Sequence, residues 1–340
     1  MSGNSTGHLI DRCHEVSALC PVEATVLGYY PNLGSSIFFT VAFGLCLVAA
    51  VPLAVWKRTW TYGAAVTLGL ILETAGYVGR ILLHANPWDE GAFELQICAI
   101  IIGPTFICAA IYLTLKHVAL ALGPNLSRVP PVWYPRLFLP ADLGCLVVQA
   151  IGGGVASAAG HAKPALQRSG NRLIVAGVAL QVVVLLLFGL LALDYWLRVR
   201  RAMRLPPGSA GVRPEQRAVW MDARFRAFVF AVTGAYLAVF IRVAEMAGGW
   251  GNHIMQDQIS FLILDSTLVL VAVSLLTIFH PGIFFPQMRN GGKGSKNGNI
   301  ASSDGSGVAD GEGTGANDAA DSSGDAKVEK GEEDRSRAMP

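Results

Sequence analysis

Nine polar side chains interrupt the long apolar stretches of this chain: Glu73, Arg80, Gln96, Asp142, Gln149, Gln181, Arg242, Glu245 and Asp265. An ionisable group in a lipid-buried helix costs ~2.5 kcal/mol or more at the bilayer centre, so such groups face a bundle interior and are paired or functional. Glu73 and Arg80 stand seven residues apart, two turns along one helical face. That is too far for contact but suited to lining one cavity. Arg242 and Glu245, at i and i+3, can pair directly. Glu73, Arg80, Arg242, Glu245 and Asp265 sum to a charge of −1, which suits a cationic head group. The chemistry is noncovalent: the charges, with Gln96, Gln149 and Gln181, hold a polar head while an apolar tail stays among apolar neighbours. Asp142 follows Pro140 near the start of its stretch, where a helix-start role competes with a functional one.

Covalent chemistry lacks its signatures. No GxxxxGK[ST] loop, HExxH or GxSxG occurs, so an ATP-driven pump, a zincin and an α/β-hydrolase are each without their motif. The last apolar stretch has no lysine for a retinal Schiff base. No CxxC pair marks a metal site, and no cofactor is implied. An intramembrane hydrolase needs paired carboxylates, whereas Asp142 and Asp265 belong at different depths. The expected protein is not an enzyme.

The elements that must carry these residues are seven apolar runs: Leu33 to Trp56, Tyr62 to Leu83, Leu95 to Leu115, Leu137 to Ala159, Leu173 to Leu193, Ala227 to Ala247 and Ile259 to Phe279. Each spans a hydrocarbon core of ~30 Å as a helix, and lipid leaves only helices or closed barrels. The composition agrees, with 52% hydrophobic and 15% charged residues among 340, against about 25% charged in soluble domains. Interleaved basic and aromatic surface, as nucleic-acid binding requires, is missing.

Lys57, Arg58, Lys116, Arg128, Arg136 and the arginines of 198–226 fall in one set of loops, against Arg12, Lys163, Arg168 and Arg172 in the other. Positively charged loops stay in the cytoplasm. The reading is therefore an all-α integral membrane protein, a seven-transmembrane-helix bundle with the N-terminus outside and the C-terminus cytoplasmic. Residues 1–32 form an extracellular segment, 33–286 the membrane domain and 287–340 an acidic cytoplasmic tail. That tail is rich in Gly, Ser, Ala, Asp and Glu, a composition that predicts disorder. On the outer side Asn4 heads a glycosylation sequon, and Cys13 and Cys20 are placed for a local disulfide. With this orientation Glu73, Gln149 and Gln181 lie near mid-membrane. Arg80, Gln96, Arg242, Glu245 and Asp265 lie in the outer third, so the set outlines a polar chamber open toward the outer leaflet. Gly152, Ala156 and Gly160 recur every four residues and leave one face bare for a neighbouring helix.

These residues also carry a family likeness. The run Glu73-x-x-Gly76-Tyr77-x-x-Arg80, the stretch from Gln96-Ile97-Cys98 through Pro104 to Ala109-Ala110-x-Tyr112, and the segment from Asp142 through Gln149 to Gly152-Gly153-Gly154 occur in order. Gly177 with Gln181, Arg242-x-x-Glu245, Asp265 and His280-Pro281-Gly282 follow. Over about residues 28–286 the chain resembles the fungal Rta-like family of lipid-translocating exporters. The resemblance implies a seven-helix protein of the plasma membrane, with endomembranes as the alternative. It further implies translocation of lipids or amphiphiles such as sphingoid bases and aminosterols, and a link to toxicant resistance. The partners would be membrane lipids and the amphiphilic substrate. The alternative is a seven-helix sensor that regulates lipid asymmetry without transporting. Two departures bear on substrate: Ala238 replaces the usual Arg four residues before Arg242, and Asp257-Gln258 replaces the usual His-Glu.

Overall fold

The computed structural model of the chain describes residues 15–18, 20–25, 27–159, 164–206, 212–249 and 265–284. Among these residues seven helices are long and apolar enough to cross a membrane. They are α1 (Leu33–Lys57), α2 (Trp60–Ala85), α3 (Glu90–Leu122), α4 (Trp133–Ala159), α5 (Pro164–Arg204), α6 (Ala223–Gly249) and α7 (Asp265–Phe284). Among the described residues the only strand-like pairing is one bridge between Ser17 and Cys20. The protein is an all-α, seven-helix integral membrane bundle.

Caps and breakers set the helix ends. Asn32 accepts from the Ser35 amide at 3.1 Å to start α1, and Asp89 accepts from the Ala92 amide at 3.1 Å to start α3. These satisfy amide donors that a helix N-terminus leaves orphaned. Arg58, in the left-handed region with φ of 54°, ends α1 and turns the chain directly into α2. The last helix runs as Leu268–Ile278, breaks at Phe279 and resumes as Pro281–Phe284. At the break His280 accepts from the Gly282 amide at 3.1 Å and faces Thr59 at 3.4 Å, fastening the end of α7 to the α1–α2 turn.

Successive helices pair along the chain: α1 with α2, α2 with α3, α4 with α5, and α6 with α7. α3 packs against α2, α4 and α6, and it contributes the most continuously buried surface of the seven. Large apolar residues that avoid this interior point outward, among them Phe38, Leu45, Val48, Phe230 and Ile278. In lipid this arrangement is stable because hydrocarbon solvates Leu and Val as well as a protein core does, so packing rather than hydrophobicity holds the helices together. The glycine face expected on α4 meets α5. A Cβ on Gly152 would lie 2.9 Å from the Gly170 carbonyl, and one on Gly170 would lie 2.6 Å from the Ala156 amide. Both backbones touch only because neither position has a side chain. Gly160 lies outside the described residues.

Two helices are much longer than their apolar runs. The sequence marks 21 residues each for the third and fifth spans, whereas α3 has 33 and α5 has 41. At ~1.5 Å per residue these are about 50 and 61 Å long, beyond any bilayer core. Hydropathy reports where lipid is, not where the helix stops. The extensions are stabilised by a second core of Val118, Ala119, Leu122, Tyr195, Val199, Met203, Phe225 and Phe228. A short helix, Pro214–Met221, covers it, and Trp220 meets Trp196 with ring centroids 4.7 Å apart.

Candidate functional site

The site is organised by a proline. Pro104 sits inside α3 and has no amide hydrogen, so the carbonyl four residues earlier, Ile100, loses its helical donor. Arg242 of α6 takes that place: its Nη2 donates to Ile100 O at 2.8 Å. Its Nε lies 2.7 Å from Asp265 Oδ1 of α7, and both side chains are at least nine-tenths buried. One guanidinium thus binds an exposed backbone acceptor and a carboxylate, the pairing a buried cation needs to be tolerated.

Glu73 of α2 enters the same layer. It is buried, and a Cβ at Gly103 would come within 2.7 Å of its Oε1. The carboxylate fits because position 103 has no side chain. Glu73 lies within electrostatic reach of Arg242 and Asp265, yet its Oε1 has no hydrogen-bond partner among the described residues. A buried carboxylate oxygen left in this state is costly, and in a native bundle it points to a ligand or a proton.

One turn along α2, the Tyr77 hydroxyl donates to Ser266 Oγ of α7. Asp265 and Ser266 are both buried and stand in a π-helical turn at 265–267, a local widening often found at functional sites. Phe39 and Phe43 of α1 stack on the Tyr77 ring at 5.2 and 5.5 Å and close this side. Further along α2, Arg80 is buried and donates to the Tyr29 hydroxyl at 3.2 Å, in the segment preceding α1. It also acts electrostatically on Asp265, which joins it to the cluster.

On the opposite flank of α3 a neutral relay continues the layer. Gln149 of α4 donates to Gln181 Oε1 of α5 at 3.2 Å, and Gln181 reaches Thr105 Oγ1 at 3.5 Å. Thr105 adjoins Pro104, so charged and neutral halves meet at one proline.

Of the eight residues expected to line the chamber, seven are buried: Glu73, Arg80, Gln96, Gln149, Gln181, Arg242 and Asp265. Gln96 packs beside Gly79, and its Oε1 lacks a partner among the described residues. Glu245 is exposed, which corrects the expectation that it pairs with Arg242. The i, i+3 spacing permits that pair, but Asp265 and the Ile100 carbonyl offer Arg242 a dry site, and a surface carboxylate competes poorly with it. Arg242 and Asp265 also share the layer of Glu73 instead of standing outward of it. Asp142 requires a second correction: α4 begins at Trp133, so Asp142 is well inside the helix and fully buried. Cys20 is disulfide-bonded, while Cys46, Cys98, Cys108 and Cys145 are free. Asn4 and Cys13 lie outside the described residues, as do 257–258 and the tail.

Sequence reasoning passed over Tyr77, Ser266, Thr105 and the Ile100 carbonyl. Tyr77 stood within the motif that carries the family likeness. The carbonyl had a readable signal, a proline four residues downstream inside an apolar run.

A family model described as RTA1 like protein matches residues 66–288, which covers all eight residues expected to line the chamber. The chain belongs to the RTA1-like family. Among curated relatives, this RTA1-like protein is 30% identical to the sphingoid long-chain base transporter RSB1 of Saccharomyces cerevisiae, over 84% of this chain and 80% of that one. It is 25% identical to the protoporphyrin uptake protein 1 of the same yeast, over 62% of this chain and 67% of that one. It is 23% identical to yeast protein RTA1, over 74% and 84%. No solved structure matches.

Proposed function

We propose that this RTA1-like protein translocates single-chain amphiphiles with a cationic head group, of the sphingoid-base or aminosterol kind, across its membrane and so contributes to toxicant resistance or lipid asymmetry. The observation that carries the reading is Glu73: a buried carboxylate whose Oε1 has no partner among the described residues, set beside a charge-balanced Arg242–Asp265 pair. Asp265 has its counter-cation, and Glu73 is left to take one from a substrate. An ammonium head supplies the missing charge and hydrogen bonds, while the alkyl tail remains against the outward apolar faces. Kinship with a sphingoid long-chain base transporter supports lipid or amphiphile transport in general.

The loop charges support an outside N-terminus and a cytoplasmic C-terminus, an orientation that puts the Asn4 sequon on the glycosylated side, and the family likeness favours the plasma membrane over an endomembrane. Purified protein in proteoliposomes tests the function directly. Ligand-dependent flux of a long-chain amine, lost in Glu73→Gln, is the expected result. Binding without flux would instead make the protein a sensor, and flux that ignores Glu73 would remove the proposed binding role.

A further inference from the structure

A third buried carboxylate, Asp142, lies away from the Glu73 layer, and unlike Asp265 it has no lysine or arginine paired with it among the described residues. It is completely buried. The Tyr112 hydroxyl donates to its Oδ2 at 2.6 Å, and its Oδ1 has no partner among the described residues.

The ring of Tyr112, its hydrogen-bond donor, belongs to a cluster of aromatic rings from four helices. Phe188 of α5 lies with its centroid 4.5 Å from Tyr112 of α3, 5.3 Å from Phe138 of α4, 6.4 Å from Tyr134 of α4 and 5.8 Å from Tyr236 of α6. Two of the tyrosines have their hydroxyls engaged elsewhere, Tyr134 with Ser127 at 2.9 Å and Tyr236 with the Leu185 carbonyl at 2.9 Å. Their rings remain with the cluster. A carboxylate oxygen without a resident cation, on a residue held by a tyrosine of an aromatic cluster, is a composition that recognises ammonium groups through ion pairing and ring electrostatics.

Position along α3 separates this place from the first. Gly103 touches Glu73, and Tyr112, nine residues further on and about 13 Å away along the axis, touches Asp142. Between them α3 buries Ile107, Cys108 and Ile111. The second cluster is the nearer to the helix extensions and the arginine-rich loop.

We infer that Asp142, with the rings of Tyr112, Phe138 and Phe188, is a second binding station for the primary-amine head of an amphiphile. The inference rests on the cationic-amphiphile reading of the protein and adds an inner stop to it. A head group then passes between two carboxylates whose contact points on α3 lie nine residues apart, about 13 Å along the helix axis.

The test uses the full chain in detergent micelles and two probes, a tail-labelled sphingoid base and its N-acetylated, uncharged counterpart. Glu73→Gln protein still binds the base, and adding Asp142→Asn weakens that binding about tenfold or more, since hydrogen bonds to charged groups are worth ~1.5–3 kcal/mol. Binding of the N-acetylated probe is unchanged, because Asn keeps the Tyr112 hydrogen bond and the shape. Phe188→Leu in the Glu73→Gln protein provides a change without charge and weakens the base about three- to tenfold. Complete loss of base binding in Glu73→Gln, no further loss on adding Asp142→Asn, or an equal loss for both probes would each overturn the second station. Flux of the unaltered protein in proteoliposomes tests the transport reading separately, so the two can fail independently.

Discussion

Two groups of ion pairs in this chain have nearly the same geometry and quite different surroundings. Arg242 and Asp265 approach to 2.7 Å with side chains 3% and 8% exposed. Asp194 holds Arg128 at 3.0 Å and Arg198 at 2.9 Å, with exposures from 36% to 63%. Distance does not separate them. The buried pair has given up its hydration, so each charge depends on the other and on the Ile100 carbonyl. The exposed arginines exchange one solvated neighbour for another. Burial therefore sets the weight of a pair, and the function of the layer depends on which of its members is left without a partner.

The strongest way to break this contrast is Arg242→Ala. It leaves Asp265 and Glu73 with only the weaker field of Arg80 for a cation and the Ile100 carbonyl without a donor. A loss of about 3–5 kcal/mol is expected, as for other buried pairs deprived of one partner. The measurement is thermal unfolding in detergent, and a poor yield of folded protein is the cruder form of the same result. Asp265→Ala should cost less, because Glu73 remains near Arg242 to balance it. Equal losses for the two would mean that Glu73 does not share the field of Arg242.

Next in size, and confined to function, is Glu73→Gln. The substitution keeps shape and hydrogen-bonding capacity while removing the charge, so insertion and yield stay near those of the parent. Flux of a long-chain amine in proteoliposomes, and resistance of cells to cationic amphiphiles, should fall to background. A fully active Glu73→Gln protein would make the carboxylate dispensable. One that is simply degraded would make it structural.

Pro104→Ala sharpens the comparison at smaller amplitude. Alanine restores an amide hydrogen that can bond to Ile100 O and compete with Arg242. Unfolding temperature should equal or exceed that of the parent, since α3 gains a helical bond and loses an intrinsically poor residue. Flux should drop roughly tenfold if Arg242 loses a bond worth ~1.5 kcal/mol that shapes the site. Unchanged flux would show that the proline contributes nothing to the binding layer.

How much of this was legible beforehand differs between fold and site. The seven spans follow from hydropathy because lipid demands apolar length, and the buried polar residues stand out because each is expensive where it lies. The partners of those residues were not legible. Arg242 has Glu245 three positions away and Asp265 twenty-three positions away, and only helix packing favours the second. Asp142 read as a helix start because Pro140 precedes it, yet α4 tolerates that proline and begins earlier. The lengths of α3 and α5 were hidden for a different reason: their ends pack against each other outside the apolar region, where hydropathy carries no helix signal.

The smallest expected effect is at the exposed cluster, and it closes the comparison. Asp194→Ala removes the partner of both Arg128 and Arg198. Arg198 sits one turn further along the same helix, so its bond fixes little that the helix has not already fixed. Arg128 belongs to the segment joining α3 to α4, and its bond ties that segment to α5. Both guanidiniums reach water, so neither is left uncompensated when the carboxylate goes. Exposed pairs of this kind contribute ~0.2–1 kcal/mol each and are screened by salt. The expected shift in unfolding temperature is near the limit of measurement at low ionic strength and vanishes at about 1 M salt, where the screening length is ~3 Å. Flux should match that of the parent throughout. A destabilisation as large as that of Arg242→Ala, or one that persists in high salt, would mean that the α3–α4 connection depends on Asp194 as the bundle interior depends on Arg242, and burial would not be what distinguishes the two sites.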